Sequence, residues 1–297
     1  MKTVMSIKTN LKMIFTNYGF YICTAFMIVL CFCSGIYRDS LTDDMYSVIH
    51  SLTKFNYTFM LESIDFCSIN VMLKGSGSWL SMSIPIISAF AFIPLICDEC
   101  ESKAVRNAIF RSSKFSFYTS KFLTACISGG LAVMLGYIIF TGLVYVLFPN
   151  INEYTIESQN MYKEILSYTY SNVADDRYIG ILLIKYVEMF IYGAIATVPA
   201  IVLTCITKNK YLVMCIPFFF KYAVTQTCVK LSSKAWSNFE NPNEKLGRFI
   251  NIIAPDAVLN LFESSDKKLI LLYNGGLVVI AFLFYMIIQR RRFDCGE

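Results

Sequence analysis

Two ionisable side chains sit deep inside apolar runs of this sequence: Glu188 in "ILLIKYVEMFIYGAIATV" and Lys221 in "PFFFKYAVT". A charge at the centre of a membrane helix costs about 2.5–3.5 kcal/mol, so each must be paired or placed for a purpose. A helix starting near Ile179 puts Glu188 roughly 13 Å deep, at 1.5 Å per residue. One starting at Tyr211 from the opposite side puts Lys221 roughly 15 Å deep in a core about 30 Å thick. The turn Thr207–Lys210 is short enough to make these helices antiparallel neighbours. An ion pair between Glu188 and Lys221 near mid-membrane is therefore expected. The alternative is that Lys221 points into a cavity and attracts anionic cargo. Lys185, nearer the outer end, is expected to snorkel.

Other reactive side chains do not assemble into a catalytic set. Cys97 and Cys100 form a C-x-x-C, but no second pair stands at zinc-ligand spacing and His50 is the only histidine, so no metal site is expected. Ser76 and Ser78 in "GSGSW" resemble a nucleophile turn, yet no histidine base stands in an apolar run to activate them. No aspartate falls in such a run, which excludes an intramembrane aspartyl protease, and the phosphate-cradling G-x-x-x-x-G-K-[ST] loop is absent. The chain is thus expected to be no enzyme, with no catalytic residue and no cofactor of its own. Moving a substrate would take energy from a partner or an ion gradient. Most of the eleven cysteines fall in apolar runs and read as inert thiols, with Cys67 and Cys228 the outer pair that could bridge.

The elements that must hold these residues are helices. Hydrophobic residues make up 56% of the 297 positions and charged residues 16%, outside the range of ordinary soluble domains. The apolar residues come in blocks of bilayer-crossing length: Tyr18–Tyr37, Trp79–Cys97, Phe122–Phe148, Ile181–Ile206, Tyr211–Val229 and Leu269–Ile288. The expected fold is an all-α membrane protein with six transmembrane helices. Before the first span, Ile7, Leu11, Ile14 and Tyr18 recur at helical spacing, with Lys8 and Lys12 on the other side. That is the pattern of an interfacial helix, or of an early start to the first span.

The segments on the terminal side hold 13 lysines and arginines in 54 positions, against 11 in the 112 positions of the other three loops. That asymmetry puts both termini in the cytoplasm. Lipid headgroups are the implied neighbours of the basic rim, and nucleic acid is not, because no basic stripe is interleaved with stacking aromatics. The layout is one permease-sized unit over residues 1–297: an interfacial helix (1–17), spans one and two (18–97, outer loop 38–78), a cytoplasmic segment (98–121), spans three and four (122–206, outer loop 149–180) and spans five and six (207–297, outer loop 230–268). The outer loops are long enough to carry structure of their own. "RFINIIAPDAVLNLF" reads as a short helical or re-entrant element broken at Pro255.

Polar or small residues form stripes within the spans: Ser81, Pro85 and Ser88 in the second, Pro217, Lys221, Thr225 and Cys228 in the fifth, and Asn274, Gly275 and Gly276 in the sixth. They serve helix packing or line a pathway, for which Ser81, Ser88, Pro217 and Thr225 are the candidates.

Between spans two and three runs "CDECESKAVRNAIFRSSKFSFYTSKFL". Asp98, Glu99 and Glu101 stand where a helix would begin, and Arg106 and Arg111 where it would end, an order that complements the helix dipole. Glu99 and Lys103 are spaced i, i+4, Val105, Ile109 and Phe110 give an apolar side, and "RSSK" reads as a turn.

This order of acid, basic helix, basic turn and Tyr-x-Ser-Lys resembles the ABC-2 type permeases, the transmembrane subunits of ATP-binding cassette exporters. The resemblance covers the whole chain as architecture. As sequence it is confined to Ile96–Leu123 and, more loosely, Ile250–Leu261. It implies that Glu99, Glu101, Lys103, Arg106, Ile109, Phe110 and Arg111 belong to a coupling helix docked on a separate ATPase subunit, which binds ATP and Mg2+. It also implies a plasma-membrane, multi-pass protein that pairs with a second copy or a sister permease and expels a peptide or an amphipathic small molecule. Ser102 and Lys103 stand where family members often have a glycine, and the outer loops are longer than usual. Two rival functions remain at this stage: a membrane sensor or immunity protein binding a ligand through its outer loops, and an ion-coupled secondary transporter using Glu188 and Lys221.

Overall fold

The computed structural model describes residues 2–38, 44–101, 113–170, 178–207, 209–237 and 243–294. It is 83% helical. Five of its helices are long and apolar enough to cross a membrane, six if the bent N-terminal pair is taken as one more span.

That pair is α1 (Lys2–Phe15) and α2 (Tyr18–Phe32), which meet at 65°. The bend falls where Asn17 caps α2, its side chain accepting the Gly19 N–H at 3.0 Å. Ile14 is buried on the inner side of α1, while Lys8 and Lys12 are exposed.

Helix α2 stops at Phe32, short of the expected Tyr37. The remainder becomes strand β1 (Gly35–Arg38), paired antiparallel with β2 (Met45–Ser47). Gly35 is a poor helix residue, and leaving the helix lets Tyr37 stack in an aromatic cluster, 4.9 Å from the Phe66 ring. Three short helices, α3 (Val48–Lys54), α4 (Tyr57–Glu62) and α5 (Ser68–Lys74), complete the first part of a cap.

Helices α6 (Ser78–Phe90) and α7 (Ile93–Glu101) form the next apolar unit, broken at Ala91–Phe92. Helix α8 (Lys114–Leu147) follows, its start capped by Ser113, and it begins well before the expected Phe122. After it, α9 (Ile156–Thr169) adds to the cap. A small cluster of Cys67, Ile151, Tyr154 and Tyr162 joins α9 to α5, and the Tyr154 hydroxyl donates to the Met60 carbonyl at 3.0 Å. Helices α10 (Tyr178–Leu203) and α11 (Lys210–Ala235) come next. They are followed by α12 (Glu244–Ile253), a 3-10 turn over Pro255–Asn260, and α13 (Lys267–Asp294). The break between α12 and the turn falls at Ala254, with Pro255 in the first position of the turn.

The bundle is built around α8, which packs on α1, α2, α6 and α10. Its approach to α10 is close because two glycines face each other. A Cβ on Gly129 would stand 2.0 Å from Thr197 Oγ1 and 3.1 Å from the Gly193 carbonyl oxygen, and one on Gly193 would stand 2.8 Å from the Gly129 carbonyl oxygen. The glycines expected to allow close approach in the last helix do not do so within this chain: a Cβ on Gly275 or Gly276 would meet nothing within 4 Å.

Candidate functional site

The charged side chains within the bundle converge on the segment 255–263, where the 3-10 turn leads towards α13. Lys221, on α11, reaches across to Asp256, its Nζ 3.0 Å from Oδ1. It also donates to the Tyr192 hydroxyl on α10 and to the Ser81 carbonyl on α6. The Tyr192 hydroxyl in turn lies 3.2 Å from both the Ser81 carbonyl oxygen and Asp256 Oδ1. Lys221 is thereby buried at 7% exposure, with the Tyr192 ring centroid 4.7 Å from its ammonium. One side chain ties α6, α10 and α11 to the turn.

A second cluster forms towards the cap. Lys185 Nζ lies 2.7 Å from Glu263 Oε1, 3.0 Å from the Leu259 carbonyl oxygen and 3.1 Å from Asn260 Oδ1. The carbonyl and amide oxygens accept hydrogen bonds from the ammonium, and Glu263 meets it as an ion pair. Glu188 Oε2, 3.1 Å away, receives the charge of Lys185 but no hydrogen bond, while Glu188 Oε1 accepts the Phe262 N–H at 2.8 Å. Tyr170, at the end of α9, donates to Glu263 Oε1 at 2.5 Å. Burial, and then the bond to Glu263, push the Tyr170 hydroxyl well above the ordinary phenol range, so it remains a donor.

The expected pair between Glu188 and Lys221 is thus replaced by two others. Lys221 meets α10 at Tyr192, and Glu188 stands one turn away on α10, about 6 Å along the axis. The partners that take their places, Asp256 and Glu263, come from the outer loop 230–268, in and just after the short helical or re-entrant element expected there. Lys185 does not snorkel either: it is 3% exposed and held by Leu259, Asn260 and Glu263. A signal existed in the sequence, since "APD" and "FES" bring two acids into an otherwise apolar stretch beside two buried lysines.

The pathway candidates have separate fates. Ser88 is buried at the Gly129 crossing, while Ser81, itself buried, borders a cavity between the cap and the bundle. Pro217 is buried and Thr225 half-buried, its hydroxyl without a hydrogen-bond partner among the described residues.

The coupling segment divides. Lys103, Arg106, Ile109, Phe110 and Arg111 lie outside the described residues, as does the side chain of Glu101. Asp98 and Glu99 do not open a new helix: they continue α7, which is helical from Ile93 and is described as far as Glu101. Two lysines pair with them. Lys121 Nζ lies 2.7 Å from the Glu99 carboxylate, and Lys210 Nζ lies 3.4 Å from Asp98 Oδ1. Lys121 is nearly fully buried, near the Phe92 and Phe117 rings at 5.4 and 5.7 Å, and its pair with Glu99 ties α7 to the first turns of α8. Neither Cys67 nor Cys228 forms a disulfide.

No family model, no curated protein and no solved structure matches the chain.

Proposed function

We propose that this chain is the transmembrane subunit of an ATP-driven exporter of the ABC-2 permease type, seated in the plasma membrane with both termini in the cytoplasm. The observation that carries the reading is the order of its parts. A helix set at 65° to the first span opens the chain. Apolar helical units follow, with an acid-then-base segment between α7 and α8, and a helix broken at Pro255 precedes the last unit.

In this reading residues 98–121 dock on a separate ATPase subunit that binds ATP and Mg2+. Closure of the ATPase pair pushes on that segment, and the Glu99–Lys121 clamp passes the push to α7 and α8 together. The chain works with a second copy or a sister permease. The exposed Phe219, Phe220 and Tyr222 of α11 leave an apolar face for that partner. Long, net-acidic outer loops favour a peptide or an amphipathic small molecule as cargo.

The test replaces Arg106, Ile109 and Phe110 together by alanine. The ATPase is expected to be lost from the purified complex, and transport to fall, while the permease stays in the membrane at its normal level. Retention of both the ATPase and transport would overturn the reading.

A further inference from the structure

Helices α10 and α13 and the 3-10 turn enclose a groove of about 210 Å³. Ile191 and Ile195 from α10, Val258 from the turn and Leu271 from α13 give it apolar walls, and Asn274 is the single polar residue in its lining. Gly275 keeps it open: a Cβ there would meet nothing within 4 Å.

Asn274 is only 9% exposed. Its Nδ2 donates to the Ile270 carbonyl one turn back, at 2.9 Å. That bond turns the nitrogen end of the amide to the helix backbone. It leaves Oδ1, with no partner among the described residues, as the one polar side-chain atom on the groove. A buried amide oxygen without a donor is costly.

The walls limit what can supply the missing donor. A buried water needs about two to four polar partners, and the side chains of the groove offer one. A lipid acyl chain matches the walls but carries no donor. A hydroxyl on an apolar body matches both. Size points the same way: apolar cavities of roughly 150 Å³ take a benzene-sized guest. This groove is somewhat larger, yet smaller than the sites of about 300–1,000 Å³ that hold drug-sized ligands.

We propose that this groove binds a small neutral alcohol, its hydroxyl donating to Asn274 Oδ1. The apolar body, a single ring or a medium-length chain, lies over Gly275 between α10 and α13. The site does not depend on the exporter reading, since no residue of the coupling segment contributes to it.

The test uses the full chain in nanodiscs of phosphatidylcholine, whose headgroup has no hydrogen-bond donor, and an octanol carrying a photoreactive diazirine. Saturable labelling is expected on residues 271–278 or on the facing turns of α10, mapped by mass spectrometry. Heptyl methyl ether matches octanol in size and keeps its oxygen but has no donor. At equal concentration in the bilayer, octanol should compete about tenfold more strongly than the ether, as for the loss of a buried hydrogen bond. Asn274→Leu is expected to make the two compete equally, and Gly275→Leu, whose side chain fills the groove, to abolish the labelling. The two competitors test the unaltered protein, so the result stands even if a variant does not fold. Dioleoylglycerol, which carries its hydroxyl on a lipid, assigns the source: displacement of the probe marks a membrane lipid, and unchanged labelling marks a free alcohol. Absence of saturable labelling there, as when a second copy of the chain covers the groove, would overturn the proposal. Equal competition by octanol and the ether, as when acyl chains fill the groove, would overturn it too.

Discussion

At the level of single residues, the two lysine clusters differ in how much solvent can repair them. Asp256 is 37% exposed and Lys221 is 7% exposed. Removing Lys221 leaves a carboxylate that water can reach, whereas removing the Asp256 charge strands a buried ammonium. Breaking a buried pair from the costly side is worth about 3–5 kcal/mol. Asp256→Ala should therefore lower the melting temperature of the purified protein more than Lys221→Met. The double variant should recover part of the loss, and a Lys221→Met that proved the more damaging would contradict this assignment. The charge swap between Glu188→Lys and Lys221→Glu is expected to give no rescue, because these residues are not partners. In the other cluster Lys185 donates to the Leu259 carbonyl and to Asn260 Oδ1 and meets both Glu263 and Glu188 as ion pairs, while Glu188 Oε2 accepts no hydrogen bond among the described residues. Glu188→Gln keeps an oxygen for the Phe262 N–H and leaves Lys185 paired with Glu263, so it should cost less than loss of Lys185 itself. Lys185→Met leaves Glu188 and Glu263 facing each other and should cost about 3–5 kcal/mol. Thermal unfolding of the two variants side by side reads the difference.

At the level of elements, hydropathy located the apolar helices but not all of their ends. The run Tyr18–Tyr37 is apolar throughout, yet a strand that buries Ile36 satisfies the same pattern as a helix that meets lipid. Only the pairing with Met45–Ser47, a non-local fact, separates them. The early start of α8 is different. Its capping Ser113 stood in "RSSK", and "FSFYTSK" buries Phe117 and Tyr118 against the bundle instead of lipid. The broken element at Pro255 was legible because proline and a short apolar run are local signals. Its partners were signalled only by type, as two acids in an apolar stretch, because an acid in a loop says nothing of the depth to which the loop folds back. Helix packing yields a contrast between glycines. Gly129→Ala would drive a methyl against Thr197 Oγ1 and the backbone of α10. Such overpacking costs about 1–3 kcal/mol, so folded yield by size-exclusion chromatography should drop. Gly275→Ala has open space around it and should leave the yield unchanged or slightly raised, since alanine favours helix. Equal behaviour of the two variants would show that the α8–α10 crossing is not the close one.

At the level of the whole molecule, the exposed surfaces of α2, α11 and α13 are the ones a bilayer or a second copy would cover, with Phe26, Phe219, Phe220, Leu272 and Ile280 all at least half exposed. What fixes the orientation of such a bundle is the count of lysine and arginine at each end, with acids counting little. The basic end therefore keeps its weight even though Lys121 and Lys210 are tied to Glu99 and Asp98, because the rule acts during insertion, before these pairs form. Lys8 and Lys12, exposed on α1, add to the same count and, in the proposed orientation, would meet anionic headgroups at the inner leaflet. In the proposed orientation the cap, which carries β1, β2, α3 to α5 and α9, is expected to face outside. Two single-cysteine variants in a cysteine-free background decide this. Met45→Cys sits on an exposed position of the cap, and Lys114→Cys sits on an exposed position at the start of α8. An impermeant maleimide is expected to label Met45→Cys on intact cells, and Lys114→Cys only after the membrane is opened. Melting curves matching the parent would show that the background still folds. Labelling of Lys114→Cys from outside intact cells would invert the topology, remove the cytoplasmic docking surface, and leave the cavity beneath the cap facing the cell interior.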